Sequence, residues 1–529
     1  MKVLKIPLLV LAAVFFLTAA YCEDKYGDAF VTASIADART LVPILASDSA
    51  SGEIVGMVFN GLVKYDKFIE LTGDLAQSWE IKDDGLTIIF HLRKNVKWHD
   101  GRPFTAEDVR FTYGKLIDPD VPTPYSGDFK KVKFFEALNP YTIKITYKEP
   151  FSPGLASWGM AIMPKHILEN ENLLTSSFSR SPIGTGPYKF KRWKSSERID
   201  LVSNHGYFEH TPYIDRYIYK VIPDPSTMFL ELQTENIDSM GLSPLQYKRL
   251  TDTRYFKKSY RKFRYPSFGY TYMAYNLKSE LFTDKRVRQA INYAVDKKEI
   301  IDGVLLGLGR ICTGPFIPES WAYNKNVKPC PFDVNRAKKL LRTAGWADSD
   351  GDGWLDKEGE IFEFTLLTNQ GNNLRIKTAE IIQRRLKEVG IKVNIRVLEW
   401  AVFINEFVDK KRFEAIILGW SLSRDPDCYD IWHSSKTRPG EFNFISYSNS
   451  GVDKLLIEGR RRFDKEKRKE IYHKIHEVLY EEQPYLFLYV PDALPAVHRR
   501  FRGIEPAPIG IGYNFIDWYV PKTEQRYTQ

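Results

Sequence analysis

Much of what this chain could be is excluded by what it lacks. It contains no Gly-x-Ser-x-Gly elbow, no His-Glu-x-x-His pair and no Walker-type phosphate loop, so the usual hydrolase and nucleotide-binding signatures are absent. Gly184-Thr185-Gly186-Pro187-Tyr188 is glycine-rich, but Pro187 removes an amide donor that a phosphate cradle would use, which makes the segment a structural turn. Cysteine is scarce: only 4 occur, and no Cys or His pair near them has zinc-ligand spacing. Internal repeats, low-complexity tracts and long linkers are missing. Apart from the N-terminal residues, no apolar run approaches the roughly 20 residues a membrane span needs.

What remains is a long chain of ordinary globular composition. Its 529 residues exceed one hydrophobic core and predict two or three domains. Aromatics make up 14%, including 11 Trp and 30 Tyr. They fill cores first, and only the surplus is free for a ligand cleft. The net charge of +9 is spread along the chain. Its densest basic stretch, Arg460-Arg461-Arg462 to Lys469, is broken by Asp464 and Glu466 and reads as the solvated face of a helix. A nucleic-acid surface is not expected.

Lys2 and Lys5 followed by the apolar run Ile6–Ala20 form a signal-peptide pattern over residues 1–20, with Thr18-Ala19-Ala20 suited to cleavage after Ala20. Lipidation of Cys22 is the alternative, although Tyr21 is larger than a lipoprotein signal prefers. Export places the protein in a periplasmic or extracellular setting, where disulfides persist. A Cys312–Cys330 bridge would close a short loop and contribute roughly 3 kcal/mol. The alternative is two unrelated free thiols, and Cys428 is left unpaired.

The first half alternates with period 2: Leu86, Ile88, Phe90 and Leu92 share one strand face, as do Tyr141, Ile143, Ile145 and Tyr147. In the second half, helices are predicted after Thr283, with Val287, Ala290, Ile291 and Ala294 on one face, and after Asp333, stopping at Gly345. A helix carrying Ala379, Ile382, Leu386 and Val389 stops at Gly390 and leads into the strand Ile391 to Val397. A helical segment from Trp400 and a buried strand Phe413 to Leu418 follow. Strand, helix, strand predicts a crossover in a covered parallel sheet. Ligands in such sheets bind beyond the carboxyl ends of strands, here Gly419-Trp420-Ser421.

Two clusters could hold metal. His473, His476 and Glu477 share helical spacing but lie in a charged amphipathic helix, where exposed side chains are expected. Asp348, Asp350, Asp352 and Asp356, with Gly351 and Gly353, follow the first half of a calcium loop. The glutamate expected at the twelfth position is replaced by Gly359, so a shortened structural calcium site and an Asx-rich turn both remain open. No other cofactor is implied.

Several stretches converge on one family. Leu75-Ala76-Gln77-Ser78-Trp79, Asp84-Gly85-Leu86-Thr87, Val96-Lys97-Trp98-His99-Asp100-Gly101 and Ala106-Glu107-Asp108-Val109 resemble the signature of family 5 extracellular solute-binding proteins. Pro182 to Tyr188, Arg286 to Ile291, Asn335 to Leu341 and Glu481-Glu482-Gln483-Pro484 look like later motifs of that family. The resemblance implies an α/β, two-lobed, periplasmic-binding-protein-like type II fold with an extra domain inserted in the first lobe. On this sequence the first lobe maps to 23–58, 178–265 and 495–529, the insertion to 59–177 and the second lobe to 266–494. It further implies a monomeric, non-enzymatic receptor that seals a peptide or small-molecule ligand between lobes and delivers it to the permease subunits of an ABC transporter.

Glu399-Trp400 and Gly419-Trp420 resemble the two tryptophan positions that line the family's peptide cleft. Peptide receptors place an aspartate three residues after the second tryptophan, to pair with the ligand's α-ammonium. Here Ser423 stands there. An unpaired ammonium in a closed cleft costs several kcal/mol, so either Asp425 takes that role or the ligand carries no free amine. Trp400, Gly419, Trp420, Ser423 and Asp425 are the expected ligand-binding residues. Trp98 and Trp158 are expected in the core.

Overall fold

The computed structural model describes residues 25–527. The expected signal segment and Cys22 lie outside the described residues. Three sheets organise the chain. The first has seven strands, drawn from 29–34, 188–221, 239–262 and 495–498, with Ala29–Ser34 parallel to Arg216–Val221 at its centre. Its base is tied by the buried guanidinium of Arg500, which pairs with Asp28 and, at 2.7 Å, with Asp238.

The second sheet is a four-stranded antiparallel unit in the order Ala76–Lys82, Thr87–Leu92, Thr142–Tyr147, Val132–Asn139. Here the period-2 reading has direct physical consequences. Ile88 faces Ile145 and Phe90 faces Ile143 across the ladder, and all four are buried. Trp98 and Trp158 are buried in the same core. Gly184 is required by close approach: a Cβ there would lie 1.8 Å from the Val58 carbonyl oxygen.

The third sheet runs Tyr265–Pro266, Tyr485–Ala493, Gly269–Tyr275, Ala415–Ser421, Glu363–Asn369, Lys392–Leu398, with Gly309–Ile311 added to Tyr485–Ala493. The expected crossover is present, since the strands before and after it run parallel in one sheet, but the expectation of a wholly parallel sheet needs correction. Lys392–Leu398 and Ala415–Ser421 are not neighbours; each lies parallel to Glu363–Asn369 between them. The sheet is mixed, because Gly269–Tyr275 pairs antiparallel along the whole free edge of Ala415–Ser421. Ala415, Ile416, Ile417 and Leu418 are buried on both faces, as their unbroken apolar run demands. The chain passes from the first sheet to the third between Lys262 and Tyr265 and returns between Ala493 and Pro495.

Local signals act mostly where expected. Asp333 caps Val334–Thr343, and Asn373–Lys387 ends before Gly390, whose φ of +83° suits a residue without a Cβ. Asp284, not Thr283, caps Lys285–Ala294, accepting from the Arg286 amide at 2.8 Å. The expected Cys312–Cys330 bridge is not formed: both are free thiols, as is Cys428. The Cys312 thiol is buried and turned to the Gly314 carbonyl at 3.1 Å, while Cys330 stays half-buried in its loop beside Pro331.

Candidate functional site

A cavity of about 1030 Å³ opens where the three sheet units meet. Each contributes to its wall. Glu53 comes from the helix Ser49–Val58; Tyr65, Phe68, Tyr125 and Asp128 come from the chain around the four-stranded sheet; Arg375, Trp400 and the strand end Gly419-Trp420-Ser421 come from the third. The volume sits at the upper end of the roughly 300–1,000 Å³ usual for small-molecule pockets.

Trp400, Gly419, Trp420, Ser423 and Asp425 all line this cavity. Their chemistry differs. Trp420 is half-buried and belongs to an aromatic wall, stacked on Tyr272 at 6.1 Å and set edge-on to Phe442 at 5.3 Å. Its indole N–H reaches the Tyr485 hydroxyl at 3.4 Å. Trp400 packs against the core of the third-sheet unit, with its one ring pair to Phe403 at 6.4 Å between centroids, and its buried indole N–H has no acceptor among the described residues. Gly419 leaves room for a charge: a Cβ there would lie 3.0 Å from the Arg375 Nη2. Ser423 is exposed toward the cavity.

Asp425 does not present the free carboxylate expected of it. Arg468 grips it in a bidentate pair, with N–O distances of 2.9 and 3.0 Å. The neighbouring Asp427 is held at 2.6 Å by Arg460, which also donates to Asp128 across the cleft at 2.6 Å. Burial lifts the Asp128 carboxyl to about 6, against the opposing pull of Arg460. Arg460 and Arg468 were expected on a solvated helix face; both are instead buried, because these distant carboxylates neutralise them.

Among the charged wall residues that the sequence reading did not single out, Glu53 and Arg375 stand apart. Glu53 is open to the cavity yet enclosed by protein. It accepts from the Tyr217 hydroxyl at 2.6 Å, and desolvation raises its carboxyl above the ordinary range despite that bond. Arg375 donates to Asn369 at 2.8 Å, and burial lowers its guanidinium. Neither has an ion-pair partner among the described residues. Nothing in local pattern marks either, since both occupy ordinary helical positions.

The acidic loop lies away from this cavity. Carboxylate oxygens of Asp348, Asp350 and Asp352 come within 4.8 Å of one another on the surface. Three such oxygens would meet part of the 6–8 that calcium takes. Asp356 is not part of the group, because the Ser349 amide and hydroxyl hold it at 2.9 and 2.7 Å. His476 is also not the exposed residue expected. It is buried, accepts from the Asn324 amide at Nδ1 and bonds the Thr313 hydroxyl at 3.0 Å.

Comparison with known proteins bears on this site. A family model described as bacterial extracellular solute-binding proteins, family 5 Middle, matches residues 70–441. The oligopeptide-binding protein AppA of Bacillus subtilis (strain 168) is 36% identical over 94% of this chain and 93% of its own. The solved structure of AppA with a nonapeptide superposes with a TM-score of 0.89 at 35% identity, covering 94% of this chain and 100% of that one. NikZ from Campylobacter jejuni, solved with Ni(L-His), gives a TM-score of 0.84 at 31% identity, covering 94% and 99%. DppA from Helicobacter pylori, in complex with the peptide STSA, gives 0.85 at 28% identity over the same shares.

Proposed function

The chain belongs to the bacterial extracellular solute-binding proteins of family 5, and from that premise we propose that it is an extracytoplasmic receptor, capturing a peptide or peptide-like ligand between two lobes for delivery to an ABC transporter. The observation that carries this reading is the aromatic-walled cavity of about 1030 Å³ at the junction of the three sheet units. Hinge closure around a ligand turns contacts inside the cleft into a shape that a permease can recognise. We infer that Trp400, Gly419, Trp420 and Ser423 touch the ligand. Asp425 serves instead to tie its own loop to Arg468 in the helix Lys465–Glu482.

The reading is of stoichiometric binding without turnover by a monomer, with permease subunits as partners. No helix among the described residues is long and apolar enough to cross a membrane. Attachment to a membrane, if present, would come through the permease or through lipid at Cys22. No cofactor is needed for capture. A structural calcium would sit on Asp348, Asp350 and Asp352, where it would tie the surface loop without reaching the cleft.

The test is to purify the exported protein gently and identify what its cleft retains by native mass spectrometry. A peptide bound one to one is the expected result. A retained sugar or metal chelate, or catalytic consumption of the ligand, would overturn the peptide reading.

A further inference from the structure

The first-sheet unit carries a surface that its own core does not explain. Its outer side is closed by the helix Pro225–Gln233, the turn Gln246–Leu250 and the short helix Arg254–Ser259, with Met228, Phe229, Leu232 and Phe256 buried in one cluster beneath. Yet the same segment holds apolar side chains out in water. Leu230, Leu245, Leu250 and Tyr255 are each between 42% and 59% exposed. Single apolar residues scattered over a surface need no explanation, whereas four on adjoining elements mark a contact site.

What surrounds them is cationic. Between Lys248 and Arg264 the sequence places eight basic residues against one acid, Asp252, so this stretch cannot neutralise itself. Lys248, Arg249, Arg254, Lys257 and Lys258 are exposed, and among the described residues only Lys257 of these has an ion pair, with Asp252. The exposed Phe134, on the second sheet, has the opposite setting: Lys144 and Glu136 beside it are paired at 3.1 Å.

Local structure holds these groups outward. The Thr251 amide donates to the Gln246 carbonyl at 3.0 Å, five residues back, and that wide turn leaves Leu245, Lys248, Arg249 and Leu250 all exposed. Phe256 is buried and stacked on Tyr260 at 4.8 Å, which fixes its neighbours Tyr255, Lys257 and Lys258 on the outside. The Tyr255 hydroxyl meets the Gln233 carbonyl at 3.1 Å and the Glu235 carboxylate at 2.8 Å, joining the short helix to the end of Pro225–Gln233.

The start of the described chain lies on this side. Glu235 also accepts from Arg526, and the adjacent Gln525 side chain donates to the Tyr26 carbonyl at 2.9 Å. Lys25 is therefore only a few contacts from Tyr255. A lipid at Cys22, three residues earlier, would leave at most about 10 Å of chain between the bilayer and Lys25.

We propose that this face rests on an anionic phospholipid surface, the cations meeting headgroup phosphates while Leu230, Leu245, Leu250 and Tyr255 enter the headgroup boundary. Basic residues set around exposed leucines and an aromatic ring are the composition that interfacial contact uses. A nucleic acid would engage the cations and leave the leucines in water. The contact orients the receptor rather than anchoring it, because exposed charge is screened by salt. It is independent of what the cleft binds.

The test sediments the mature protein, carrying Cys22→Ser so that no lipid can attach it, with two sets of vesicles. One set is phosphatidylcholine alone; in the other about a third of the lipid is phosphatidylglycerol. The protein should sediment with the anionic set only, and raising salt from about 0.1 to about 0.5 M should weaken binding at least about tenfold. Lys248→Glu with Arg249→Glu should weaken it by a similar factor, as should Leu245→Ser with Leu250→Ser, with Tm and ligand capture unchanged. A charge-matched control, Lys338→Glu with Lys339→Glu on the exposed face of Val334–Thr343, should bind as the parent does. No sedimentation with anionic vesicles would overturn the proposal. An equal loss in the control would also overturn it, since net charge alone would then account for binding. Full binding by the Leu245→Ser, Leu250→Ser protein would remove the apolar contact, and binding only to vesicles that carry the permease would give the face to a protein instead.

Discussion

The Arg460 guanidinium donates to Asp128 at 2.6 Å although the two residues are 332 positions apart, and it is almost fully buried in doing so. The same group holds Asp427 at 2.6 Å, and the Arg460 carbonyl accepts from the Ser152 amide at 2.7 Å. One side chain thus ties the four-stranded unit to the third-sheet unit at the edge of the cavity.

Removing that tie should have unequal effects from its two ends. Arg460→Met leaves Asp128 and Asp427 buried without a cation, a loss of about 3–5 kcal/mol. Asp128→Asn leaves Arg460 still paired with Asp427 and should cost much less. Thermal unfolding of the two variants checks the order. An Asp128→Asn melt as low as that of Arg460→Met would mean that the Asp427 contact contributes nothing.

The two tryptophans should separate binding from packing. Trp420→Ala removes a ring stacked on Tyr272 and packed on Phe442 and Phe444. It should weaken the co-purified ligand by about 2 kcal/mol or more and lower Tm as well. Trp400→Ala removes one ring pair instead of three and should weaken binding with a smaller fall in Tm. Calorimetry with the co-purified ligand and thermal melts give both readouts. Unchanged affinity in a folded Trp420→Ala protein would remove this wall from the ligand site.

Calcium should raise Tm through the Asp348–Asp350–Asp352 group, and Asp350→Ala should abolish the rise. Asp356→Ala should not, because its carboxylate is engaged by Ser349. Equal melting with calcium and with chelator would make the loop an Asx turn without a cation.

Acid should destabilise the fold through its buried histidines. Desolvation lowers His476 from 6.5 to about 4. Between these values the unfolded chain binds the proton and the folded protein does not, so stability is complete above pH 6.5 and falls as pH drops toward 4. The full effect is on the order of 3 kcal/mol. His476→Gln should lower Tm at neutral pH and flatten its decline in acid. An unchanged acid profile would show that His476 is protonated in the folded state.

Sequence alone determined the elements whose cause is local. Alternation at Ile88, Phe90, Ile143 and Ile145 places these residues in a core whatever lies around them. The apolar run ending at Leu418 demands a strand buried on both faces, which is why Trp420 could be located at a strand end near a ligand. Tertiary structure decided everything that depends on a partner far along the chain. Whether Glu363–Asn369 or another strand lies beside Ala415–Ser421 depends on which edges meet after folding. Whether a carboxylate is free or engaged depends on which cation reaches it, so Asp425 is matched to Arg468 while Glu53 meets the Tyr217 hydroxyl and no cation among the described residues. Side-chain periodicity is a property of a few neighbouring residues, whereas charge compensation in a low-dielectric cleft belongs to the whole assembled wall.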